Sequence, residues 1–286
     1  MGHFRHLGLF RRRESHSWAG VTLAKTLSVA SWLGSVIVSV YCGTRGTPND
    51  TVQSQNPWAL NYAHPSSFTI NSTLGYIFWS SLLNWQVLFI AQLFTRDGDR
   101  VREALNVCLY FIANNTLHAT FVLLFVHSYF QLAEAALALN FVNLSVLHFR
   151  HNALSLPIQL STISFPLSWT FFALYWNGFM MVPNQSLTAA RVVGCILIWA
   201  LLGYGVLSLA AFRDPASSLC LSFISVAVGV GQMERLASTP ELVSPFVIGL
   251  LLGFATLLQF RVAWLGGHSG GPAKTETLVE GKGLSA

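Results

Sequence analysis

The chain has 286 residues, of which 53% are hydrophobic and only 9% charged, with a formal net charge of +5. Ordinary soluble domains carry about 25% charged residues, so a water-exposed surface is excluded and a lipid bilayer is the solvent that suits these proportions. The basic residues stand at the borders of apolar runs rather than in a stripe interleaved with aromatics, which argues against nucleic acid as a partner.

In chain order, residues 1–21 form a basic segment around Arg11, Arg12 and Arg13. The first apolar run, Thr22–Cys42, exceeds the 7 to 15 or so residues of a secretory h-region and reads as a retained anchor. Residues 43–73 contain Pro48, Pro57 and Pro65 among many Asn, Ser and Thr, which predicts a solvated outer loop with Trp58 and Tyr62 touching lipid headgroups. Further apolar runs follow at Leu74–Phe94, Ala104–Val126, Tyr129–His148, Ile163–Val182, Val192–Phe212, Ala216–Met233 and Leu242–Trp264. Each supplies roughly the 17 to 25 residues a helix needs to cross the hydrocarbon core. His127 and Ser128 leave room only for a tight turn between two of them. The tail, residues 265–286, is Gly-rich and polar, the composition of a disordered segment. The reading is an all-α, polytopic membrane helical bundle of about eight transmembrane helices spanning residues 22–264.

Orientation follows from Lys and Arg, which favour the cytosolic side. With a cytosolic amino terminus, that side receives Arg5, the Arg11–Arg13 cluster, Lys25, Arg96, Arg100, Arg102, Arg150, Arg213, Arg261, Lys274 and Lys282, while the other keeps Arg45, Arg191 and Arg235. Both termini are therefore expected in the cytosol. The sequons at Asn49, Asn71 and Asn184 fall on the opposite side, where glycosylation operates, and this places the chain in a membrane of the secretory pathway. Cys42 and Cys195 share that side, where a disulfide forms only if their helices are neighbours.

Two helix-border stretches, Leu139-Asn-Phe-Val-Asn-Leu-Ser-Val-Leu-His-Phe-Arg-His151 and Pro166-Leu-Ser-Trp-Thr-Phe-Phe-Ala-Leu-Tyr-Trp-Asn-Gly178, resemble an uncharacterised fungal family of multi-pass membrane proteins. The resemblance implies a fungal integral membrane protein of unknown function. It transfers no activity and no functional residue.

An ionisable group inside a membrane needs a partner or a purpose. Glu134 is the first catalytic candidate: Gln131 and His127 lie on about the same helical face, and an acid there would serve as proton donor or relay. His118 is the second, with Asn114 and Asn115 one turn away, and the hairpin of its helix with the next would bring it toward Glu134. Asn84, Gln86, Gln92, Asn140 and Asn143 make the first half of the bundle the more polar, which predicts a cavity lined by Trp169, Tyr175, Trp176 and Asn177. The remaining acids Glu103, Asp214, Glu234 and Glu241 are expected at helix borders. No cofactor motif is present, and the pair His148 and His151 falls short of a di-iron ligand set. Gly249 and Gly253 form a small-residue packing face.

Three classes of function fit. The first is a carrier or accessory protein that handles a small hydrophobic or amphiphilic ligand. The second is a membrane-embedded enzyme on a hydrophobic metabolite, such as a terpenoid cyclase of fungal secondary metabolism, which needs two acids in one aromatic pocket. The third is a non-catalytic scaffold whose partner is the bilayer alone.

Overall fold

The computed structural model of the protein describes residues 18–44, 56–151, 154–183 and 188–269. The elements in order are α1 (Trp18–Thr44), α2 (Pro57–Ala63), α3 (Ser72–Leu93), α4 (Gly98–Val126), α5 (Phe130–Arg150), α6 (Leu156–Gln159), a π-helical turn (Leu160–Ser164), α7 (Phe165–Met180), α8 (Thr188–Leu197), α9 (Ala200–Ala211), α10 (Pro215–Glu234) and α11 (Thr239–Ser269). Among the described residues there is no strand. Among the described residues seven stretches are long and apolar enough to cross a membrane: α1, α3, α4, α5, α8 with α9, α10, and α11 to Arg261. The remaining expected crossing corresponds to residues 156–180, a helical path divided by the π turn.

That division has a local cause. Pro166 has no N–H to donate and its ring crowds the carbonyl four residues back, so the helix widens just ahead of it. Hydroxyl groups take up the slack: Ser161 donates to Pro157 O at 2.6 Å and Thr162 to Ile158 O at 2.6 Å.

α10 is the centre of the bundle. In its most apolar stretch 67% of residues are buried, against 11% in α1, which turns Leu23, Leu33 and Ile37 outward to lipid. The small residues of α10 permit close helix approach, the usual solution where lipid gives no hydrophobic drive to association. Ser222 Oγ donates to Gly249 O on α11 at 2.7 Å. A Cβ at Gly249 would stand 2.7 Å from Val226, so the small-residue face of α11 packs inside the bundle. Between α4 and α5, Ser128 adopts φ 61° and closes the tight turn. The four cysteines are free, so Cys42 and Cys195 are not bridged.

The segment after α1 departs from expectation. Asn56 caps α2 by accepting from Trp58 N at 2.9 Å, and Trp58 sinks into the core against Tyr76, Trp79 and Trp176. Residues 66–71 then run without helix yet are buried throughout. Residues 56–71 are thus a wedge packed into the bundle rather than a solvated loop, and of Trp58 and Tyr62 only Tyr62 keeps the exposure expected of a headgroup contact, at 40%. At the far end α11 continues to Ser269, past the expected boundary at residue 264, and residues 270–286 lie outside the described set.

Gly231 makes the wedge possible, because a Cβ there would lie 2.6 Å from Thr69 O and 2.8 Å from Asn71 N. Gly231→Ala is expected to lower stability by about 1 to 3 kcal/mol, the usual cost of overpacking. Gly203→Ala, where a Cβ meets nothing within 4 Å, should be neutral or slightly stabilising; thermal unfolding in detergent separates the two.

Candidate functional site

The two acid–base candidates are kept apart. Glu134, half-buried on α5, accepts from Asn177 Nδ2 on α7 at 2.8 Å, and the same amide donates to Phe130 O at 2.8 Å. Gln131 and His127 are exposed and take no part. His118 is buried edge-on to Trp79, with ring centroids 5.6 Å apart. Its expected amide neighbours bond elsewhere, Asn114 with Asn140 at 3.0 Å and Asn115 with Phe111 O at 3.0 Å. Among the described residues no hydrogen bond joins His118 to Glu134. The expected cavity is filled as well: Trp169, Trp176 and Asn177 are buried in the packed core, with Trp176 Nε1 donating to Asn61 Oδ1 at 2.9 Å. Tyr175 alone lines open space, on the outer side of α7.

Of the sequons, Asn71 is 8% exposed. It caps α3 by accepting from Leu74 N at 2.9 Å and donates to Glu234 Oε1 at 2.6 Å, so a glycan would have to displace that second bond. Asn49 and Asn184 lie outside the described residues.

The densest polar network forms where the wedge meets α8, α10 and α11. Glu241, at the start of α11, is 3% exposed. Its Oε2 accepts from Arg191 Nη2 at 2.6 Å, Arg191 Nε at 3.2 Å and Ser238 Oγ at 2.7 Å, and its Oε1 accepts from Ser67 Oγ on the wedge at 3.1 Å. Arg235 Nη1 donates to Ser66 O and to Gln232 Oε1, while Gln232 Nε2 donates to Ser66 O and Thr69 O. Burial lowers the Arg235 guanidinium from its ordinary value, with Glu241 opposing the shift and Arg191 adding to it. Two guanidiniums thus share the field of one buried carboxylate. Sequence reading placed Glu241 at a border without seeing this role. Ser238-Thr-Pro-Glu241 is a capping-box spacing, and that pattern is the signal that finds it.

A groove of about 610 Å³ opens beside the network, lined by Thr188, Arg191, Val192, Cys195, Ile196, Trp199, Ser238 and Pro240. A second, of about 410 Å³, lies along α7 and α8 and includes Tyr175, Val193 and Leu197. Between them α8 buries only Gly194, which sits against Ser67 and Phe179.

Asp214 is the other acid that sequence reading left at a border. It is fully enclosed and caps α10, accepting from Ala216 N and Ser217 N at 3.1 Å each, from Ser217 Oγ at 2.6 Å and from Ser164 Oγ at 2.9 Å. The π turn delivers Ser164 to it. With both oxygens taken, Asp214 holds helices together and has no free position for a substrate.

An all-α bundle in which seven stretches among the described residues are long and apolar enough to cross a membrane defines a multi-pass membrane protein. The family described as "Fungal protein of unknown function (DUF1774)" matches residues 191–280, the stretch that supplies Arg191, Cys195, Trp199, Ser238 and Glu241. The stretches at 139–151 and 166–178 that carry the resemblance fall outside the matched residues. No curated protein and no solved structure matches the chain.

Glu134→Gln keeps an oxygen acceptor for Asn177, whereas Glu134→Ala removes it. Thermal unfolding is expected to show the Gln variant near wild type and the Ala variant weaker by about 1 kcal/mol. Equal losses in both would assign the carboxyl's charge, not its hydrogen bond, to stability.

Proposed function

We propose that this protein binds a small amphiphilic molecule in the groove between α8 and the start of α11, as a carrier or accessory component of a secretory-pathway membrane. The observation that carries the reading is the groove itself. Its volume falls within the roughly 300 to 1,000 Å³ of small-ligand sites, its walls are apolar through Val192, Ile196 and Trp199, and one end is polar through Arg191. A helix that buries one glycine between two grooves can shift sideways at little packing cost, as admission of a ligand from the bilayer requires. The enzyme alternative is not favoured, because Glu134 and Asp214 share no pocket and Trp169 and Trp176, the aromatics expected to line one, are packed solid.

Val192 and Ile196 are 52% and 65% exposed, so enlarging either leaves the fold intact. Val192→Trp and Ile196→Trp are expected to reduce the amphiphile that copurifies with the protein, read by native mass spectrometry, with unchanged thermal stability. Identical retention in both variants would remove the groove as the binding site.

The orientation belongs to the same proposal. Eight crossings, counting residues 156–180, put both termini in the cytosol. A topology reporter fused after Ala286 or placed before Thr22 should read as cytosolic, and one near Gln55 as lumenal; a lumenal reading at the carboxyl terminus overturns the arrangement.

A further inference from the structure

The charge at the groove's polar end specifies the ligand more closely. Arg191 spends Nε and Nη2 on a single oxygen of Glu241. A guanidinium has five N–H donors in a planar fork, and Nη1 has no hydrogen-bond partner among the described residues. The Arg191 side chain is 43% exposed while that of Glu241 is 1% exposed, so the cation faces the groove and the carboxylate lies behind it. Arg235 adds a second positive charge to the same field, and Ser238 offers a hydroxyl at the groove wall. Glu234, next to Arg235 in the chain, is turned toward Tyr62 and Asn71. An approaching headgroup therefore meets an excess of positive charge, and below it Val192, Ile196 and Trp199 provide an apolar channel for a chain.

Resting on the groove reading, we infer that the amphiphile is a lipid with an anionic headgroup, which the free edge of the Arg191 guanidinium recognises while its chain lies along α8. Planar, charge-assisted contacts of this kind suit phosphate and carboxylate oxygens. Glu241 acts as the internal competitor: it holds Arg191 in place when the groove is empty and weakens its pull on an incoming anion.

Cys195 reports occupancy, because it lines the groove whereas Cys42, Cys108 and Cys220 are buried. The experiment measures alkylation of Cys195 in the full-length protein, in detergent supplemented with phosphatidylglycerol, phosphatidylcholine or inorganic phosphate. Phosphatidylglycerol is expected to protect at about tenfold lower concentration than phosphatidylcholine, because both carry the phosphodiester but only in phosphatidylcholine does a quaternary ammonium offset its charge before the Arg191 and Arg235 cations. Inorganic phosphate alone should give no protection. Arg191→Gln should abolish the preference, Arg191→Lys should retain part of it, and Glu241→Gln should strengthen it. If Arg191→Gln fails to fold because Glu241 is left unpaired, the double variant Arg191→Gln with Glu241→Gln removes both charges together; it should fold and show no preference. Equal protection by the two lipids overturns the headgroup inference and leaves the groove reading standing. Protection by neither lipid overturns both, and protection by phosphate alone overturns the assignment to a lipid.

Discussion

Backbone that is not helical can lie within a membrane bundle only where other groups satisfy its hydrogen bonds, and residues 66–71 impose that demand on everything around them. Asn61 answers it twice, accepting from Ile70 N at 3.1 Å and donating to Ile70 O at 2.8 Å. Gln232 and Arg235 take the carbonyls of Ser66 and Thr69, and Ala227 O on α10 accepts from Asn71 N at 3.0 Å. Each of those groups left bare in hydrocarbon would cost several kcal/mol. The polar content of this end of the bundle is therefore mostly committed to holding the wedge, and the groove's chemistry is built from what remains.

This commitment explains why the densest polar network is not where the polar residues are most frequent in sequence. Asn114, Asn140 and Thr170 bond one another across α4, α5 and α7 and close that region. The half of the chain that appears blander contributes Arg191 and Glu241, brought together by the start of α8 and the cap of α11. Openness follows from loose packing around α8, not from polarity.

The helices were legible because lipid exposure leaves long unbroken apolar runs whose ends are marked by charge, and the turn at His127 and Ser128 was legible because nothing longer fits. The wedge was not. Pro57, Asn61 and the Ser and Thr that follow have the composition of a surface loop, and burial of such a segment depends on partners more than a hundred residues away, Trp176 and Gln232 among them. The π turn was equally hidden, although Pro166 inside an apolar run marks where the helix must deform. Glu134 and His118 stand out in the sequence because an ionisable group inside a membrane is costly. Their separation is set by rotation about the helix axes, which spacing along one helix does not define.

The wedge also sets the order in which the molecule can be completed. Its partners from α10 to the start of α11 lie 156 to 174 residues further along the chain, as in the bonds of Asn71 to Ala227, Asn71 to Glu234, Arg235 to Ser66 and Ser67 to Glu241. During synthesis the segment emerges early, with backbone groups that only later helices can satisfy. Until α10 is in place, Ser66 O, Thr69 O and Asn71 N lack these partners. A chain truncated before Pro215 would leave them stranded, because Ala227, Gln232 and Arg235 supply the partners of Asn71 N, Ser66 O and Thr69 O, so α10 is the element that completes the wedge.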